Sequence, residues 1–169
     1  GGLLQGGTAG NNSLLGGTGT AGTTMFGGGN GDQLFARGSG TSFLNAGVGN
    51  ETLSGAGSTG NNYFFAGRGN VLIGGGVGND TIFAGGGSST VDGGAGTDLI
   101  AIVNGSAGGT VLLNGFQAGS PDRVQLQGYA AGEAARAVTA AGSSNTITLS
   151  DNTRITFGGV SSVTTTSFT

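Results

Sequence analysis

Apolar residues recur at every ninth position between Gly57 and Ala101. Cut into units of nine, this stretch is GSTGNNYFF, AGRGNVLIG, GGVGNDTIF, AGGGSSTVD and GGAGTDLIA. The eighth place of each unit is apolar, and its occupants are Phe64, Ile73, Ile82, Val91 and Ile100. A fixed period this short is typical of a solenoid, in which each coil buries its apolar face against its neighbours.

Each unit predicts a tight turn followed by a short strand. The turn Gly75 to Asp80 is rich in glycine, which tolerates the positive φ that strains other residues. In the strand Thr81-Ile82-Phe83, alternation points Ile82 inward and its neighbours outward. Two units close a coil of 18 residues, and the coils stack as parallel strands about 4.8 Å apart. The sequence therefore predicts an all-β fold, a parallel β-roll or β-solenoid of 18-residue coils.

The units GGVGNDTIF and GGAGTDLIA resemble the glycine-rich nonapeptide GGxGxDxUx of the RTX β-roll proteins. Two full matches in tandem register are fairly specific. The alternative, a disordered Gly/Ser linker, does not explain the inward apolar column. The resemblance implies that sixth-place Asp side chains and turn carbonyls bind Ca²⁺ between adjacent coils.

The period of nine continues less regularly upstream of Gly57. It predicts further inward residues at Phe26, Phe35, Leu44 and Leu53, with insertions near Gly16 to Thr18 and near Gly55-Ala56. We expect the roll to occupy residues 1–101, with roughly five coils starting at Leu3. A second region follows at 102–169, because 32 of the 42 glycines lie before residue 97.

The second region has the pattern of a small β-rich cap with one short helix. Strands are predicted at Thr110 to Leu113 and Arg123 to Leu126, with a loop between them that contains the only proline, Pro121. A helix is predicted from Ala131 to Ala141, with Gly142 as its stop. Two alternating segments, 146–149 and 154–157, predict a hairpin.

This region also resembles the RTX family. The stretch VLLNGFQAGSPDRVQLQGY is similar to the segment that commonly follows the last repeat, and NTITLSDNTRITFGGVSSV is similar to the closing hairpin of many such C-termini. The resemblance implies export by a type I, ABC-type secretion apparatus through an uncleaved C-terminal signal in residues 102–169. It also implies an extracellular or cell-surface location, outside a Gram-negative bacterium.

The sixth-place residues decide how much calcium the roll can bind, because calcium requires six to eight oxygen ligands. Only Asp80 and Asp98 match the family pattern, and they lie 18 residues apart, on adjacent coils of one side. We expect one Ca²⁺ between them, at most two in all, with Asn62 as a weaker third contributor. The alternative is that both aspartates only cap their own turns. The sixth places on this side are Thr24, Ser42, Asn62, Asp80 and Asp98.

On the other side, the predicted sixth places are Gln33, Glu51, Val71 and Ser89. With a lone carboxylate among them, this side is expected to bind no calcium. Asp32 falls one place out of register and is interpreted as a turn residue. Where calcium is missing, pairs such as Asn11-Asn12 and Asn61-Asn62 could bond from turn to turn through their side chains.

One outward face of the roll is unusually apolar. A continuous strip of this kind is rare on a soluble monomer, so we expect it to dock another surface, most simply a second copy of the chain. The alternative is that residues 102–169 fold back over it. The predicted interface residues are Met25, Phe43, Tyr63, Phe65, Phe83 and Leu99.

Composition narrows the possible functions. The chain has no Cys, His or Lys, so no disulfide, thiolate site or common general base is available, and we expect no enzyme activity. The five arginines are scattered, which argues against nucleic-acid binding, and no apolar run is long enough to span a membrane. Only 8% of the residues are charged.

These observations favour a secreted structural protein that self-assembles through its apolar face and coil ends, into a filament, surface layer or biofilm matrix. The alternative is a C-terminal module for calcium-assisted folding and type I export of a larger exoenzyme, toxin or adhesin. An ice-binding solenoid is disfavoured, because the candidate face mixes Thr with Met, Phe and Tyr. Because the chain starts within the repeat pattern, we expect it to be a piece of a longer protein.

Overall fold

Two β-sheets run along the molecule and face each other across one apolar core. The computed structural model describes residues 1–105, 109–116 and 119–169. The chain passes from one sheet to the other and back, and forms a β-solenoid of about six turns. The predicted all-β roll is therefore confirmed.

Sheet A contains seven parallel strands, and sheet B contains eight strands, of which the last is antiparallel. In order across sheet A these are β1 (Leu3–Gln5), β3 (Thr24–Phe26), β5 (Phe43–Asn45), β7 (Tyr63–Phe65), β9 (Thr81–Ala84), β11 (Leu99–Val103) and β13 (Arg123–Gln127). In order across sheet B these are β2 (Ser13–Leu15), β4 (Gln33–Gly38), β6 (Glu51–Ser58), β8 (Val71–Gly74), β10 (Ser88–Asp92), β12 (Thr110–Asn114), β15 (Arg154–Phe157) and β14 (Thr146–Thr148).

The core is a single layer of inward side chains between the two sheets. Ile82 and Ile100 are paired in register on neighbouring strands, as the 18-residue coil requires, and Ile73 is fully buried in the facing sheet. Burial of each such side chain stabilises the roll by about 1.5–3 kcal/mol. The inward residues of the roll are Leu14, Met25, Leu34, Leu44, Leu53, Phe64, Ile73, Ile82, Val91 and Ile100.

The turns need glycine where two coils approach each other closely. Gly76 and Gly94 lie one coil apart, with φ of 101° and 90°. A Cβ added at Gly94 would lie 2.9 Å from the Gly76 backbone nitrogen, closer than real Cβ atoms come. Glycine at these two turns therefore provides both the left-handed backbone and the room for stacking.

Coil length is 18 residues only in the regular stretch. Thr81 pairs with Leu99, 18 residues on, but Leu3 pairs with Thr24 and Phe43 with Tyr63, at spacings of 21 and 20. Counting by nines from Gly57 toward the N-terminus therefore loses the register, because upstream turns contain extra residues.

This loss of register makes some inward and outward predictions wrong. Met25, predicted on the outward face, is fully buried in the core, and Phe26, predicted inward, is 40% exposed. On β4, Leu34 is buried and Phe35 is partly exposed, again the reverse of the prediction.

The C-terminal region continues the same two sheets. β13 pairs with β11, and β12 and β15 extend sheet B. The division into two domains near residue 102 remains a prediction. The helix α1 (Glu133–Ala141) ends at Gly142, and β14 and β15 form the expected antiparallel hairpin. A 3₁₀ helix (Thr165–Ser167) follows near the C-terminus. Residues 117–118, within the predicted loop, lie outside the described residues.

The described residues of the C-terminal region leave Phe43 and Tyr63 on the apolar face of sheet A uncovered. Phe168 instead bridges to Val124 on the last strand of that sheet, and its ring packs edge-on against Phe157. Phe43 remains 43% exposed and Tyr63 36% exposed. The folded-back alternative is therefore wrong for these two residues.

Candidate calcium site

One column of polar residues lies immediately before the strands of sheet A. We call it the A column, and it contains Thr23, Ser42, Asn62, Asp80, Asp98 and Asp122. Each member comes directly before a strand residue of sheet A, and these strand residues pair in register from one coil to the next. Tyr63 pairs with Thr81, Thr81 with Leu99, and Leu99 with Arg123. The prediction that Thr24 belongs to this column instead of Thr23 is wrong, because the longer upstream coils shift the register.

Asp122 was not predicted as a member of this column. It lies in the C-terminal region, 24 residues after Asp98, so counting by nines cannot find it. The available signal was local: Asp122 directly precedes a strand that begins at Arg123, as Asp98 directly precedes Leu99.

The A column is joined by a ladder of hydrogen bonds. The backbone N–H of each residue donates to a side-chain oxygen of the next coil's residue: Asn62 N–H to Asp80 Oδ1 at 2.6 Å, Asp80 N–H to Asp98 Oδ1 at 2.8 Å, and Asp98 N–H to Asp122 Oδ1 at 2.9 Å. The ladder starts upstream with Thr23 N–H to Ser42 Oγ and Ser42 N–H to Asn62 Oδ1. One oxygen of each aspartate therefore holds two coils together.

The second carboxylate oxygens of Asp80 and Asp98 are left without a partner. Both residues are 1% exposed, and within the described part of the chain neither Oδ2 atom accepts a hydrogen bond. A buried carboxylate oxygen that lacks a donor costs free energy, and buried charges are normally paired or bind a metal ion. These two atoms are the clearest mark of a ligand in the A column.

A turn carbonyl oxygen lies close to the carboxylate of Asp80. A methyl group added at Gly75 would lie 2.6 Å from Asp80 Oδ2 and in contact with the carbonyl oxygen of Gly93, one coil on. A methyl group at Gly93 would likewise contact Asp98 Oδ2. At the Asp80 turn, a carboxylate oxygen and a carbonyl oxygen of the next coil therefore lie close to the same point, and hard oxygen donors are what calcium prefers.

Burial shifts the protonation of both aspartates. It raises the pKa of Asp80 to about 6, against the lowering effect of its hydrogen bonds from Asn62. It also raises the pKa of Asp98 to about 6, and the charges of Asp122 and Asp80 add to the effect. Both carboxylates therefore lack a compensating positive charge, which a divalent cation would supply.

The residues present fit a calcium ion at Asp80 and Asp98. Among the described residues, no group of three or more His, Cys, Asp or Glu side chains could hold a metal. Two carboxylates alone fall short of six to eight ligands, so turn carbonyls and water would have to complete the set. The side-chain oxygen of Asn62 already accepts the Ser42 N–H, which places Asn62 in the ladder.

A second column lies at the beginning of the strands of sheet B, where its members either directly precede a strand or belong to its first two residues. We call it the B column, and it contains Asn12, Asp32, Glu51, Val71, Ser89 and Val111. The prediction that Gln33 occupies this column and that Asp32 is out of register is therefore wrong. The extra residues of the upstream coils shift the column by one.

Asp32 is a fully bonded member of the B column. Its Oδ1 accepts the Asn12 backbone N–H and side-chain amide, both at 2.8 Å, and its Oδ2 accepts the N–H groups of Gly28 and Gly29. Burial alone would raise its pKa, but the bonds from Gly28, Asn12 and Gly29 prevail and lower it to about 2. Asp32 is therefore ionised at neutral pH, and its hydrogen bonds hold its turn together.

Glu51 is the opposite case. It is 4% exposed, and in the described structure neither Oε1 nor Oε2 accepts a hydrogen bond by the usual distance and angle limits. Its carboxylate lies against Gly27, near the carbonyl oxygen of Ala46. Burial, reinforced by the charge of Asp32, raises the pKa of Glu51 to about 7.

Asparagine side chains join the exposed edges of the turns, and they do so also in the Asp80 and Asp98 turns, not only in the coils without calcium for which such bonds were predicted. Asn61 Oδ1 accepts the Asn79 N–H at 2.8 Å, and Asn79 Oδ1 accepts the Thr97 N–H at 2.9 Å. A parallel row on the other side runs through Asn30, Asn50 and Asn70. These rows support the stack independently of any metal.

Outward-facing aromatic rings, of which Phe65 and Phe83 are half-buried, stack in pairs on the outer face of sheet A. Phe43 stacks on Tyr63 with ring centroids 5.0 Å apart, and Phe65 stacks on Phe83 at 4.8 Å. We call Phe26, Phe43, Tyr63, Phe65 and Phe83 the aromatic strip. Leu99, also predicted for this face, lies outward on β11 but is half-buried. Met25 does not belong to the face, because it is in the core.

Comparison with known families identifies the repeats. The model of the RTX calcium-binding nonapeptide repeat matches residues 56–91 and 74–101. These segments contain the Asp80 and Asp98 turns described above. The resemblance seen in the repeats is therefore confirmed, whereas the resemblance of residues 102–169 stays a prediction. RTX nonapeptide repeats bind calcium and are typical of secreted proteins of Gram-negative bacteria.

Further comparisons add no relatives. Neither the curated proteins nor the solved structures gave a match. Among the helices of the described residues, none combines the length and the apolar character needed to cross a bilayer.

Proposed function

We propose that this RTX β-roll protein is a secreted, non-catalytic structural protein that associates with copies of itself through the aromatic strip, with calcium holding the strip in register. The observation that carries the proposal is the strip itself. Its three most exposed members, Phe26, Phe43 and Tyr63, are 36–43% exposed on a regular parallel sheet.

The strip is supported by the same coils that carry the calcium site. Tyr63 directly follows Asn62 of the A column, and Asp80 directly precedes the strand β9, which contains Phe83. An ion at Asp80 and Asp98 would fix the spacing of the turns, and hence the spacing of the rings. The proposal therefore includes calcium dependence of assembly.

A second copy of the chain is the partner that the chemistry of the strip favours. The rings of the aromatic strip are apolar and uncharged, so the strip offers no charge to attract an oppositely charged partner. A face of stacked rings is complementary to another such face, since aromatic ladders interdigitate as they do between packed sheets. Low charge, 8% of all residues with a net charge of −3, gives little repulsion between copies.

The test compares assembly of the wild-type chain with that of a Phe43→Thr, Tyr63→Thr double variant. Threonine keeps the β propensity but removes the rings. Sedimentation velocity in millimolar calcium should show assemblies for the wild type and monomers for the variant. A Leu72→Thr variant is the control, because Leu72 is 53% exposed on the opposite sheet and should assemble like the wild type.

Two results would contradict the proposal. One is a wild-type chain that stays monomeric at every protein concentration in calcium. The other is a double variant that keeps its circular dichroism spectrum and assembles as the wild type does.

A second candidate is the C-terminal folding and export module of a larger exoenzyme, toxin or adhesin. The observation in its favour is the closed C-terminal end, where the β14–β15 hairpin and α1 cover the last coil. Such an end could template folding of the coils before it. The test fuses a passenger protein that normally stays inside the cell to the N-terminus of the chain. Export of the fusion is then measured in bacteria that contain an ABC exporter. Passenger that stays inside, as it does when residues 102–169 are deleted, would exclude this role.

A further inference from the structure

The two ends of the calcium-binding stretch are closed by N–H groups of the protein itself. Asn62 precedes Asp80 in the A column, and its side-chain nitrogen donates to the carbonyl oxygen of Gly60 at 2.7 Å and to Ser58 Oγ at 3.2 Å. In Asp80 and Asp98, the atom that corresponds to the Asn62 side-chain nitrogen is Oδ2, which in the described structure has no hydrogen-bond partner. The amide of Asn62 thus places donor hydrogens where the next two coils have only acceptors.

Asp122 is closed by different groups at the other end. Its Oδ2 accepts the Ser120 hydroxyl at 2.7 Å, so it lacks the unpaired oxygen of Asp80 and Asp98. The Arg123 guanidinium donates through one nitrogen to the carbonyl oxygens of Ser120 and Asp122, at 2.8 and 2.7 Å. A fixed positive charge therefore lies beside this turn.

At each end of this stretch, a side-chain N–H donates to the carbonyl oxygen of the residue two positions before the A-column residue. Gly60 is two residues before Asn62, and Ser120 is two residues before Asp122. An N–H donor that points at a carbonyl oxygen occupies the space in which a cation would bind, and a guanidinium repels a cation as well.

From this geometry we infer that Asn62 and Arg123 set the number of calcium ions, by confining binding to the Asp80 and Asp98 turns. The inference rests on the proposed calcium binding and adds the residues that limit it. It also changes the predicted role of Asn62, which becomes the residue that ends the site instead of a third ligand. Calcium would stop at these coils because of two side chains, although the backbone of the A column continues in both directions.

The first test replaces Asn62 by Asp, which has the same shape but a bare oxygen in place of the NH₂ group. Equilibrium dialysis of calcium with the full chain should give one more ion per chain for Asn62→Asp than for the wild type. Asn61→Asp is the matched control, because it adds the same charge at the adjacent, exposed position and should leave the count unchanged.

The second test uses Arg123→Leu, which removes the guanidinium and should also raise the count by one. If circular dichroism shows that Asn62→Asp does not fold in saturating calcium, the calcium count of Arg123→Leu tests the inference instead. A folded Asn62→Asp chain with the wild-type count overturns the inference, as does a folded Arg123→Leu chain with the wild-type count when Asn62→Asp is unfolded. An equal gain in Asn61→Asp would also overturn it, because charge alone would then explain the extra ion.

Failure of the inference can be told apart from failure of calcium binding itself. A wild-type chain that binds calcium while neither variant gains an ion contradicts only the limiting role of Asn62 and Arg123. A wild-type chain and an Asn62→Asp chain that both bind none contradict the calcium site as well.

Discussion

Asp98 lies one coil beyond Asp80, and its Oδ1 accepts the Asp80 backbone N–H at 2.8 Å while its Oδ2 stays buried without a partner. The carboxylate is thus half structural and half free. The structural half ties two coils together whether or not metal is present. The free half creates an energetic cost that a cation can remove.

Calcium should reverse the pH dependence of stability. Burial raises the pKa of Asp80 and Asp98 to about 6 from their ordinary value of 3.8. The calcium-free folded chain therefore binds more protons than the unfolded chain between about pH 4 and 6, and its unfolding free energy falls as the pH rises through this window. The loss is up to about 3 kcal/mol per residue.

With calcium, ionised carboxylates are ligands, so stability should instead increase over the same pH range. Urea denaturation at several pH values, with and without calcium, measures both slopes. An apo chain whose stability rises between pH 4 and 6 would contradict the burial of these two charges.

Gly75→Ala should weaken calcium binding strongly. Its methyl group would lie 2.6 Å from Asp80 Oδ2 and against the Gly93 carbonyl oxygen, in the space between the two candidate ligands. We expect a loss of at least about tenfold in affinity, equivalent to about 1.4 kcal/mol. Gly74→Ala is the control, because nothing lies within 4 Å of an added Cβ there. Calorimetric titration of both variants decides the point, and equal affinities would place the ion elsewhere.

Glu51→Gln should stabilise the chain at alkaline pH. Burial and the charge of Asp32 raise the pKa of Glu51 to about 7 from 4.5, so the ionised carboxylate is costly above pH 7. In chelator at pH 8.5, the variant should gain about 2–3 kcal/mol in unfolding free energy, with the gain disappearing toward pH 4.5.

Glu133→Gln provides a comparison of opposite sign. The hydrogen bond from Arg136 lowers the pKa of Glu133 despite burial, so its charge stabilises the fold, and its removal should destabilise the chain at neutral pH. A Glu51→Gln variant that is as destabilised as Glu133→Gln would mean that Glu51 has a partner as an anion.

Met25→Ala and Phe26→Ala test which residue of β3 faces the core. Met25 is fully buried, so its truncation should cost about 2–5 kcal/mol. Phe26 is 40% exposed, and its truncation should cost under about 1 kcal/mol. Thermal or urea denaturation of the two variants compares them directly, and the reverse order would restore the register obtained by counting nines.

The sequence alone determined the repeating architecture of this protein. From Gly57 to Ala101 the coils are uniform, so a period of nine and the alternation of a strand are sufficient to place Ile73, Ile82 and Ile100 inside. They are also sufficient to bring Asp80 and Asp98 together. Local patterns found the α1 helix and the β14–β15 hairpin as well, because helix stops and hairpin alternation depend on neighbouring residues.

Only the tertiary structure decided the register where coils differ in length. A turn can absorb one to three extra residues without disturbing the strands it joins, so position in the chain no longer gives position in the stack. Backbone pairing between strands fixes the register instead. In the observed register, Met25 lies in the core, Asp32 lies beside Glu51, and Asp122 belongs to the A column. Which carboxylate oxygens remain unpaired depends on those same contacts, and on the hydrogen bonds that Asn62 and Arg123 make across the turns.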